Sequence, residues 1–308
     1  MKSSLFVLAT LLALIGVGCR PQSPSSEGKL PVLTTTTMIT DMVKQVGGDD
    51  IHLMPLMGAG VDPHLYKPSA SDARKMREAK VTFYNGLMLE GRMTDLFEQI
   101  QKDGGAVYEL GATLPEAKRI QADETHPDPH IWFDPEVWIS CVDIVVDGLA
   151  KASPEQAASF QQRGAELKTR YQQVFEKCKS LLETIPASER VLITSHDAFN
   201  YFGRAFNMEV VGVQGISTIS EAGLADIAKT VDFIKERNVK AIFVESSVPH
   251  AIIERIARDS GAKVGGELFS DALGTPGDTF EFEGTTYDKG TYEGALLYNV
   301  TTIVNAWK

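Results

Sequence analysis

Short apolar runs alternate with longer polar stretches of helical period along most of this chain. The apolar runs predict eight strands: Val32–Thr36, Ile51–Met57, Val81–Tyr84, Ala106–Leu110, Val191–Thr194, Val210–Val213, Ala241–Val244 and Lys263–Gly265. The polar stretches predict helices at Ser71–Ala79, Asp95–Lys102, Pro135–Lys151, Asp197–Phe206, Glu221–Glu236, Ala251–Arg258 and Tyr292–Trp307. This alternation of strand and helix predicts an α/β fold with parallel sheets covered by helices.

One further helix is much longer than the others. Ser153 and Pro154 form a start signal, with Gln156 placed for a capping box, and Pro186 marks the end. Its apolar face is formed by Phe160, Leu167, Tyr171, Val174, Cys178, Leu181 and Ile185. From Pro154 to Ile185 the helix would be roughly 48 Å long. Such a helix either joins two lobes or packs inside a single domain.

The stretches on either side of this helix are of comparable length, which favours the linking role. The predicted organisation is an N-terminal lobe over residues 31–152, a linking helix over residues 153–186 and a C-terminal lobe over residues 187–308. A site for a ligand is then expected in the cleft between the lobes.

The N-terminus has the features of an export signal. Lys2 precedes an uncharged apolar run of 14 residues, Leu5–Gly18, which is too short to span a bilayer. Gly16-Val17-Gly18-Cys19 resembles a bacterial lipobox, although Gly16 stands where Leu is usual. We therefore predict a lipoprotein signal peptide over residues 1–18, a lipid on Cys19 and a Ser- and Pro-rich tether over residues 19–30. A plain cleaved signal or an unprocessed anchor is the alternative.

Charge and cysteine content exclude several classes of partner and site. The 308 residues carry a formal net charge of −11, which becomes −12 if residues 1–18, with Lys2 as their one charged side chain, are removed. An acidic chain without a basic face argues against nucleic acid and against attachment to anionic lipid through a basic patch. Besides Cys19 the chain has Cys141 and Cys178, which are too few for a disulfide scaffold. These two cysteines are either free buried thiols or joined in one disulfide.

Candidate chemistry lies in four widely separated residues. The chain has no His-Glu-x-x-His and no Cys-x-x-Cys, so it carries no local zinc motif. His64, His196 and Asp271 follow predicted strands, and His130 precedes a helix that begins after Asp134. Ligands of open parallel sheets bind at the carboxyl ends of strands, so a cleft between the lobes would bring these side chains together. Three imidazoles and one carboxylate suit a divalent metal. Each residue alone is more often a hydrogen-bonded loop, turn or cap residue, so the hypothesis depends on the agreement of the four positions.

The chain resembles the zinc- and manganese-binding solute-binding proteins of ABC transporters, the TroA/ZnuA-like group. Six motifs in order carry the resemblance: Asp62-Pro63-His64-Leu65-Tyr66, Asp128-Pro129-His130-Ile131-Trp132-Phe133-Asp134-Pro135, Ser195-His196-Asp197-Ala198-Phe199, Gln214-Gly215-Ile216-Ser217-Thr218, Phe243-Val244-Glu245-Ser246-Ser247 and Gly266-Glu267-Leu268-Phe269-Ser270-Asp271. The resemblance implies two βα lobes joined by one long helix and only small rocking between them. It also implies capture of a metal outside the cell membrane and delivery to a permease coupled to an ATPase.

The resemblance assigns the metal ligands residue by residue: His64, His130, His196 and Asp271. Three nitrogens and one carboxylate favour Zn²⁺, with Mn²⁺ or Fe²⁺ as alternatives, since availability and geometry can override intrinsic affinity. The His-rich loop of many dedicated zinc importers is absent, and the region directly before His130 offers only His126. Glu245, at a strand end, is either a second-shell acceptor that orients a ligand histidine or an ordinary buried glutamate.

These expectations compete with two other functions. A metallohydrolase would need an open metal position and a base, and Ser195 beside His196 lacks the Gly-x-Ser-x-Gly elbow. A receptor for a metal chelate or a vitamin would need an aromatic or Arg-lined cleft. The favoured reading is a monomeric binding protein without enzymatic activity, exported to the periplasm or the outer face of a bacterial membrane.

Overall fold

A computed structural model describes residues 28–91, 93–122 and 126–307. The predicted signal peptide, Cys19 and most of the tether lie outside these residues. The strands are β1 (Leu30–Thr34), β2 (Ile51–Pro55), β3 (Val81–Tyr84), β4 (Ala106–Glu109), β5 (Val191–Thr194), β6 (Glu209–Gly212), β7 (Ala241–Glu245), β8 (Lys263–Leu268), β9 (Thr279–Phe282) and β10 (Thr285–Asp288). The helices are α1 (Thr37–Gly47), α2 (Ala70–Glu78), α3 (Met93–Lys102), α4 (Pro135–Ala152), α5 (Ala157–Leu182), α6 (Asn200–Phe206), α7 (Leu224–Arg237), α8 (Ala251–Ser260) and α9 (Tyr292–Trp307).

The first lobe is built on a four-stranded parallel sheet in the order β2-β1-β3-β4. Its central strands β1 and β3 come from apolar runs that are buried on both faces, as expected for a parallel sheet covered by helices. All carboxyl ends of the strands therefore point to one edge of the sheet. This edge faces the second lobe.

The second lobe contains two parallel strand pairs, β5-β6 and β7-β8, and β5 lies beside β7. A register shift at Ile242/Phe243 interrupts the β7-β8 ladder. The predicted α/β fold with parallel sheets is confirmed.

An antiparallel hairpin, β9-β10, was not predicted from the sequence. Glu283 and Gly284 both have positive φ at its two-residue turn, the backbone that a tight right-twisted hairpin requires. Glu283 occupies the position at which Asn or Asp usually signals such a turn. The hairpin packs on α5, where Lys177 pairs with Glu283 at 2.8 Å and lies over the ring of Phe282.

The long helix is present and starts at Pro154 as predicted, but its predicted end at Ile185 is wrong. A 3-10 turn, Pro154–Gln156, comes first, and the α-helix runs over 26 residues from Ala157 to Leu182. The Ser153 side chain caps no backbone N–H, because its hydroxyl hydrogen-bonds the side chain of Glu155 at 2.7 Å. The α-helix ends at Leu182, before Pro186, and the connection to β5 contains a 3-10 turn, Ala187–Glu189.

Helix α1 was missed, because four consecutive threonines read as strand by β propensity. Strand β1 ends at Thr34 instead, and Thr36 becomes the N-cap of α1 by accepting from the backbone N–H of Ile39 at 3.5 Å. This early turn matters for the site, because it brings Thr35 and Thr37 to the edge of the sheet that faces the second lobe.

One hydrophobic core runs through both lobes and the linking helix. Tyr171 of α5 packs against Tyr292 of α9, which also contacts Trp138 of α4. Cys141 and Cys178 are separate buried thiols in this core. Among the described residues, none of the helices combines the length and apolar character needed to cross a bilayer. The exact lobe boundaries stay a prediction.

Candidate metal centre

Four side chains from four separate segments meet in the cleft. His64 lies in the loop after β2, and His130 directly precedes a 3-10 turn before α4. His196 follows β5 by two residues, and Asp271 follows β8 by three. One potential ligand atom of each residue lies within 4.8 Å of the others. The structure thus brings together all four residues that the sequence nominated, two from each lobe.

The distances between these atoms match the edges of a small coordination polyhedron. Nε2 of His64 lies 3.4 Å from Nε2 of His130 and 3.8 Å from Oδ2 of Asp271. Asp271 also approaches Nε2 of His130 at 3.5 Å and Nε2 of His196 at 3.2 Å. Ligands placed about 2.0–2.1 Å from a tetrahedral Zn²⁺ are separated by about 3.3 Å, so the donor set fits such an ion.

Several of these atoms are buried without a hydrogen bond. Nε2 of His196 and both carboxylate oxygens of Asp271 are inaccessible and lack hydrogen-bond partners. Buried polar atoms that are left unpaired cost free energy, so they indicate a missing partner. A cation that accepts electron pairs from nitrogen and oxygen would satisfy all three.

His130 is held by the aspartate two residues before it. Asp128 Oδ1 accepts from the backbone N–H of His130 at 2.9 Å and lies 2.7 Å from its Nδ1. A proton on Nδ1 that is shared with this carboxylate leaves Nε2 free to bind a metal. The remaining oxygen of Asp128 accepts from Asn200 Nδ2 of the second lobe at 3.1 Å.

His196 is held in the same way by Glu245, which ends β7. Glu245 Oε1 accepts from the backbone N–H of His196 at 2.9 Å, and Oε2 lies 2.6 Å from Nδ1. Burial by itself would lower the pKa of His196, but the charges of Glu245 and Asp271 raise that pKa well above its ordinary value. The carboxylate contact that the sequence suggested for Glu245 is thus present in the structure.

His64 is arranged differently. Its backbone N–H donates to Asp62 Oδ1 at 2.8 Å, and Asp62 Oδ2 accepts from Thr218 Oγ1 of the second lobe at 2.6 Å. Among the described residues, no acceptor lies against its Nδ1. Burial lowers the pKa of His64 to about 4, so its imidazole is neutral and available as a ligand at neutral pH.

Asp271 belongs to the second lobe, but the residues next to it are hydrogen-bonded to the first lobe. Trp132 Nε1 donates to the carbonyl of Ser270 at 3.0 Å, and the backbone N–H of Leu273 donates to Thr37 Oγ1 at 2.8 Å. Burial would raise the pKa of Asp271, but the three histidines, led by His196, hold it below its ordinary value. The carboxyl group is therefore ionised, as a metal ligand must be.

Several supporting residues were not recognised from the sequence. Asp62 and Asp128 occupy the same place in two Asp-Pro-His motifs, and that repetition was the available signal. Glu90 gave no signal, yet its buried carboxylate accepts from Thr35 Oγ1 at 2.8 Å and from the backbone N–H of Asn85 at 2.7 Å. Asn85 Nδ2 donates in turn to the carbonyl of Pro129, so this network supports the segment that carries His130.

A cavity of about 530 Å³ connects the site to solvent. It is lined by both lobes, and His64 is the one of the four clustered residues that lines it. His126 also lies on its wall, away from the four clustered atoms. The ring of His64 is 4% exposed, whereas the other three side chains are fully buried. Access to the site therefore passes His64.

Comparisons with known proteins agree with this geometry. The family described as ZnuA, zinc-uptake complex component A, periplasmic, matches residues 32–306. The manganese-binding lipoprotein MntA of Bacillus subtilis is 39% identical over 310 residues, covering 98% of this chain and 97% of that protein. The zinc-binding protein TroA of Treponema pallidum is 40% identical over 291 residues, covering 92% of this chain and 90% of that protein.

The solved structure of the periplasmic zinc-binding protein TroA from Treponema pallidum superposes with a TM-score of 0.84 at 39% identity. The match covers 91% of this chain and 99% of that chain. The resemblance seen in the motifs and the two-lobed architecture are both confirmed. The chain belongs to the ZnuA family of periplasmic metal-uptake components.

Proposed function

We propose that this protein captures a divalent metal ion outside the cytoplasm and delivers it to the permease of an ABC transporter, whose ATPase drives import. Membership of a family of transport components makes the chain a binding protein and not an enzyme. The observation that carries the proposal is the convergence of three imidazoles and one carboxylate in a buried cleft. The metal is the cargo of the protein.

His64, His130, His196 and Asp271 are the proposed ligands, with Glu245 and Asp128 orienting His196 and His130. Three nitrogen donors favour Zn²⁺ over Mn²⁺ by intrinsic affinity. The relatives include both a zinc-binding and a manganese-binding protein, so Mn²⁺ is the second candidate cargo. Four protein ligands complete a tetrahedral shell and leave no coordinated water to activate, which suits carriage of the metal instead of catalysis.

Delivery requires that the protein stay near the permease. A lipid on Cys19 and a tether over residues 19–30 would keep a monomer at the membrane while the lobes stay free to dock. A relative, the manganese-binding lipoprotein MntA of Bacillus subtilis, is a lipoprotein by name, which supports this proposal. Labelling of the exported protein with a radioactive fatty acid tests the anchor. Label retained in the Cys19→Ala variant would contradict it.

Calorimetric titration of metal-stripped protein with zinc and with manganese tests the cargo. We expect one site per chain and tighter binding of zinc in direct competition. His196→Ala should weaken zinc binding by at least about a hundredfold, because it removes a ligand and leaves Glu245 buried without its partner. His52→Ala, on the exposed surface of β2, is the matched control. Unchanged affinity in His196→Ala would refute the ligand assignment.

A further inference from the structure

The two Asp-Pro-His motifs share one local geometry. In each, the first oxygen of the aspartate accepts from the backbone N–H of the histidine, at 2.8 Å for His64 and 2.9 Å for His130. This turn is short-range and fixes only the course of the chain next to the ligand. It does not by itself place the histidine relative to the other lobe.

The second oxygen of each aspartate contacts the other lobe. Asp62 Oδ2 accepts from Thr218 Oγ1 at 2.6 Å, and Asp128 Oδ2 accepts from Asn200 Nδ2 at 3.1 Å. Both aspartates lie in the first lobe and both donors in the second. Each aspartate therefore uses one oxygen on its own histidine and the other across the cleft.

Both donors belong to segments attached to His196. Asn200 begins α6, four residues after His196. Thr218 lies in the loop between β6 and α7, and that loop is joined to the end of β5 by a bond from Gln214 N to Ser195 O at 2.9 Å. A displacement of either donor would therefore also displace the segment that carries His196.

We propose that Asp62–Thr218 and Asp128–Asn200 are two inter-lobe pairs that position the first-lobe histidines against His196 and slow the departure of the metal. This rests on the proposed function as a metal carrier. Release requires at least one first-lobe histidine to withdraw, and withdrawal breaks a hydrogen bond to a largely buried carboxylate. Hydrogen bonds to charged groups are among the stronger ones in proteins, so each pair adds to the barrier.

The two pairs are not equivalent. The ring of His130 has a further contact to Asp128, whereas the ring of His64 has none to Asp62 among the described residues. His64 also lines the cavity that leads to solvent. The position of His64 therefore depends more on its cross-lobe pair, and Asp62–Thr218 is the pair that controls exit.

The test measures how fast zinc leaves the protein. Wild-type protein loaded with one zinc ion is mixed with an excess of EDTA, and the dissociation rate is followed by stopped flow. Thr218→Val keeps the shape but removes the hydroxyl, and we expect dissociation about tenfold faster, near the lower end of effects seen for outer-shell partners. Thr218→Ser should restore a rate within about twofold of wild type, and Asn200→Ala should show a smaller increase than Thr218→Val.

Two further measurements distinguish the loss of this hydrogen bond from a general disturbance of the fold. Ser217→Ala, in the same loop, removes a hydroxyl whose one hydrogen bond among the described residues is from the backbone N–H of Ile219, and its dissociation rate should equal that of wild type. The metal-free Thr218→Val protein should still unfold in one cooperative transition, with its melting temperature lowered by no more than the loss of one hydrogen bond explains.

An unchanged dissociation rate in Thr218→Val, or an equal acceleration in Ser217→Ala, would overturn the proposal while leaving the metal-carrier function intact. Failure of the wild-type protein to bind either zinc or manganese would instead overturn the proposed function and this inference with it.

Discussion

Two of the clustered histidines are each held by a carboxylate. Glu245 occupies one nitrogen of His196 and its backbone N–H, so the other nitrogen can point only toward Asp271. Asp128 does the same for His130. Orientation of the rings before the metal arrives lowers the entropy lost on binding, which is how outer-shell residues contribute to affinity.

Replacing one nitrogen ligand by oxygen should change metal preference. His196→Glu keeps four ligands but converts the set to two nitrogens and two carboxylates, which suits Mn²⁺ better than the wild-type set does. We expect the ratio of zinc to manganese affinity to fall by about tenfold or more. Competition between the two metals on the stripped variant measures this ratio. No change in the ratio would contradict the argument from ligand type.

The four clustered residues could be nominated from the sequence because strand ends in a parallel sheet are preferred binding positions. His196 and Asp271 directly follow strands, and that placement is visible in the sequence. The partner of Asp62 was not visible, because Thr218 is distant in sequence and the hydroxyl of a loop threonine carries no pattern. Side-chain pairs across a cleft are decided by packing, which local patterns do not encode.

The secondary-structure elements support the site by close packing of the linking helix. Gly164 of α5 faces α4, and a Cβ placed on Gly164 would lie 2.4 Å from Cγ2 of Val146. The absence of a side chain lets the two helices approach, and α5 buries its apolar face in the shared core. The element that joins the lobes is thus tightly packed along its length.

Gly164→Ala should destabilise the protein although alanine is the better helix former. Overpacking against Val146 costs about 1–3 kcal/mol, and the gain in helix propensity offsets about 1 kcal/mol of it. Urea denaturation of the metal-free proteins measures the change in free energy of unfolding. Adding Val146→Ala, which removes the clashing methyl groups, should reduce the destabilisation caused by the alanine at position 164. A stabilised Gly164→Ala protein would show that α4 and α5 are not held so closely.

The type of each helix or strand was largely predictable from the sequence, whereas most of their ends were not. The strand at Val191–Thr194 and the helix at Tyr292–Trp307 have the predicted limits, because apolar period and turn residues agree there. Helix α1 was missed because its start lies in a threonine run. The outcome at Thr36 was decided by capping of a helix that packs on the sheet, not by local β propensity.

The two lobes are joined by more than the linking helix. Asp41 of α1 accepts from the backbone N–H of Tyr292, at the start of α9 in the second lobe, at 2.9 Å. It also accepts from Gln45 Nε2 at 2.9 Å, and Glu293 lies nearby. Burial and then the charge of Glu293 raise the pKa of Asp41 to about 7. The folded protein therefore favours the protonated carboxyl group.

The raised pKa of Asp41 determines the direction in which the stability of the fold changes with pH. Because the pKa of Asp41 rises from 3.8 in a free chain to about 7 on folding, its contribution is fully present below pH 3.8 and is lost as pH rises through 7. The slope for one proton is at most about 1.4 kcal/mol per pH unit. Asp41→Asn should flatten this part of the curve, as measured by urea denaturation between pH 4.5 and pH 8. Parallel curves for the two proteins would contradict the raised pKa.

Exposed apolar side chains from both lobes flank the cavity that leads to the site. Met88 of the first lobe is 57% exposed and Ile219 of the second is 68% exposed, and both line the cavity. Under the proposed function, a permease that receives the metal would approach this cavity, and these two side chains are candidates for contact with it.

Changing both residues to aspartate should reduce metal uptake by cells that depend on this protein while zinc affinity in solution stays the same. The expected loss follows from charge placed on an apolar contact, and a radioactive zinc uptake assay measures it. Val264→Asp, on a side chain 43% exposed at the start of β8 and therefore away from the strand ends, is the control. Uptake equal to wild type in the double variant would remove this face as the docking surface.

The sequence by itself determined the α/β class, the long helix and the four residues that meet in the cleft. Those features follow from local periodicity and from the rule that strand ends carry ligands. Both depend on residues that are close together in the sequence. The tertiary structure alone decided the cross-lobe contacts of Asp62, Asp128 and Asp41, the early end of β1, and the hairpin on α5. These depend on which distant segments pack together, and that is settled by burial and hydrogen bonding in the folded chain.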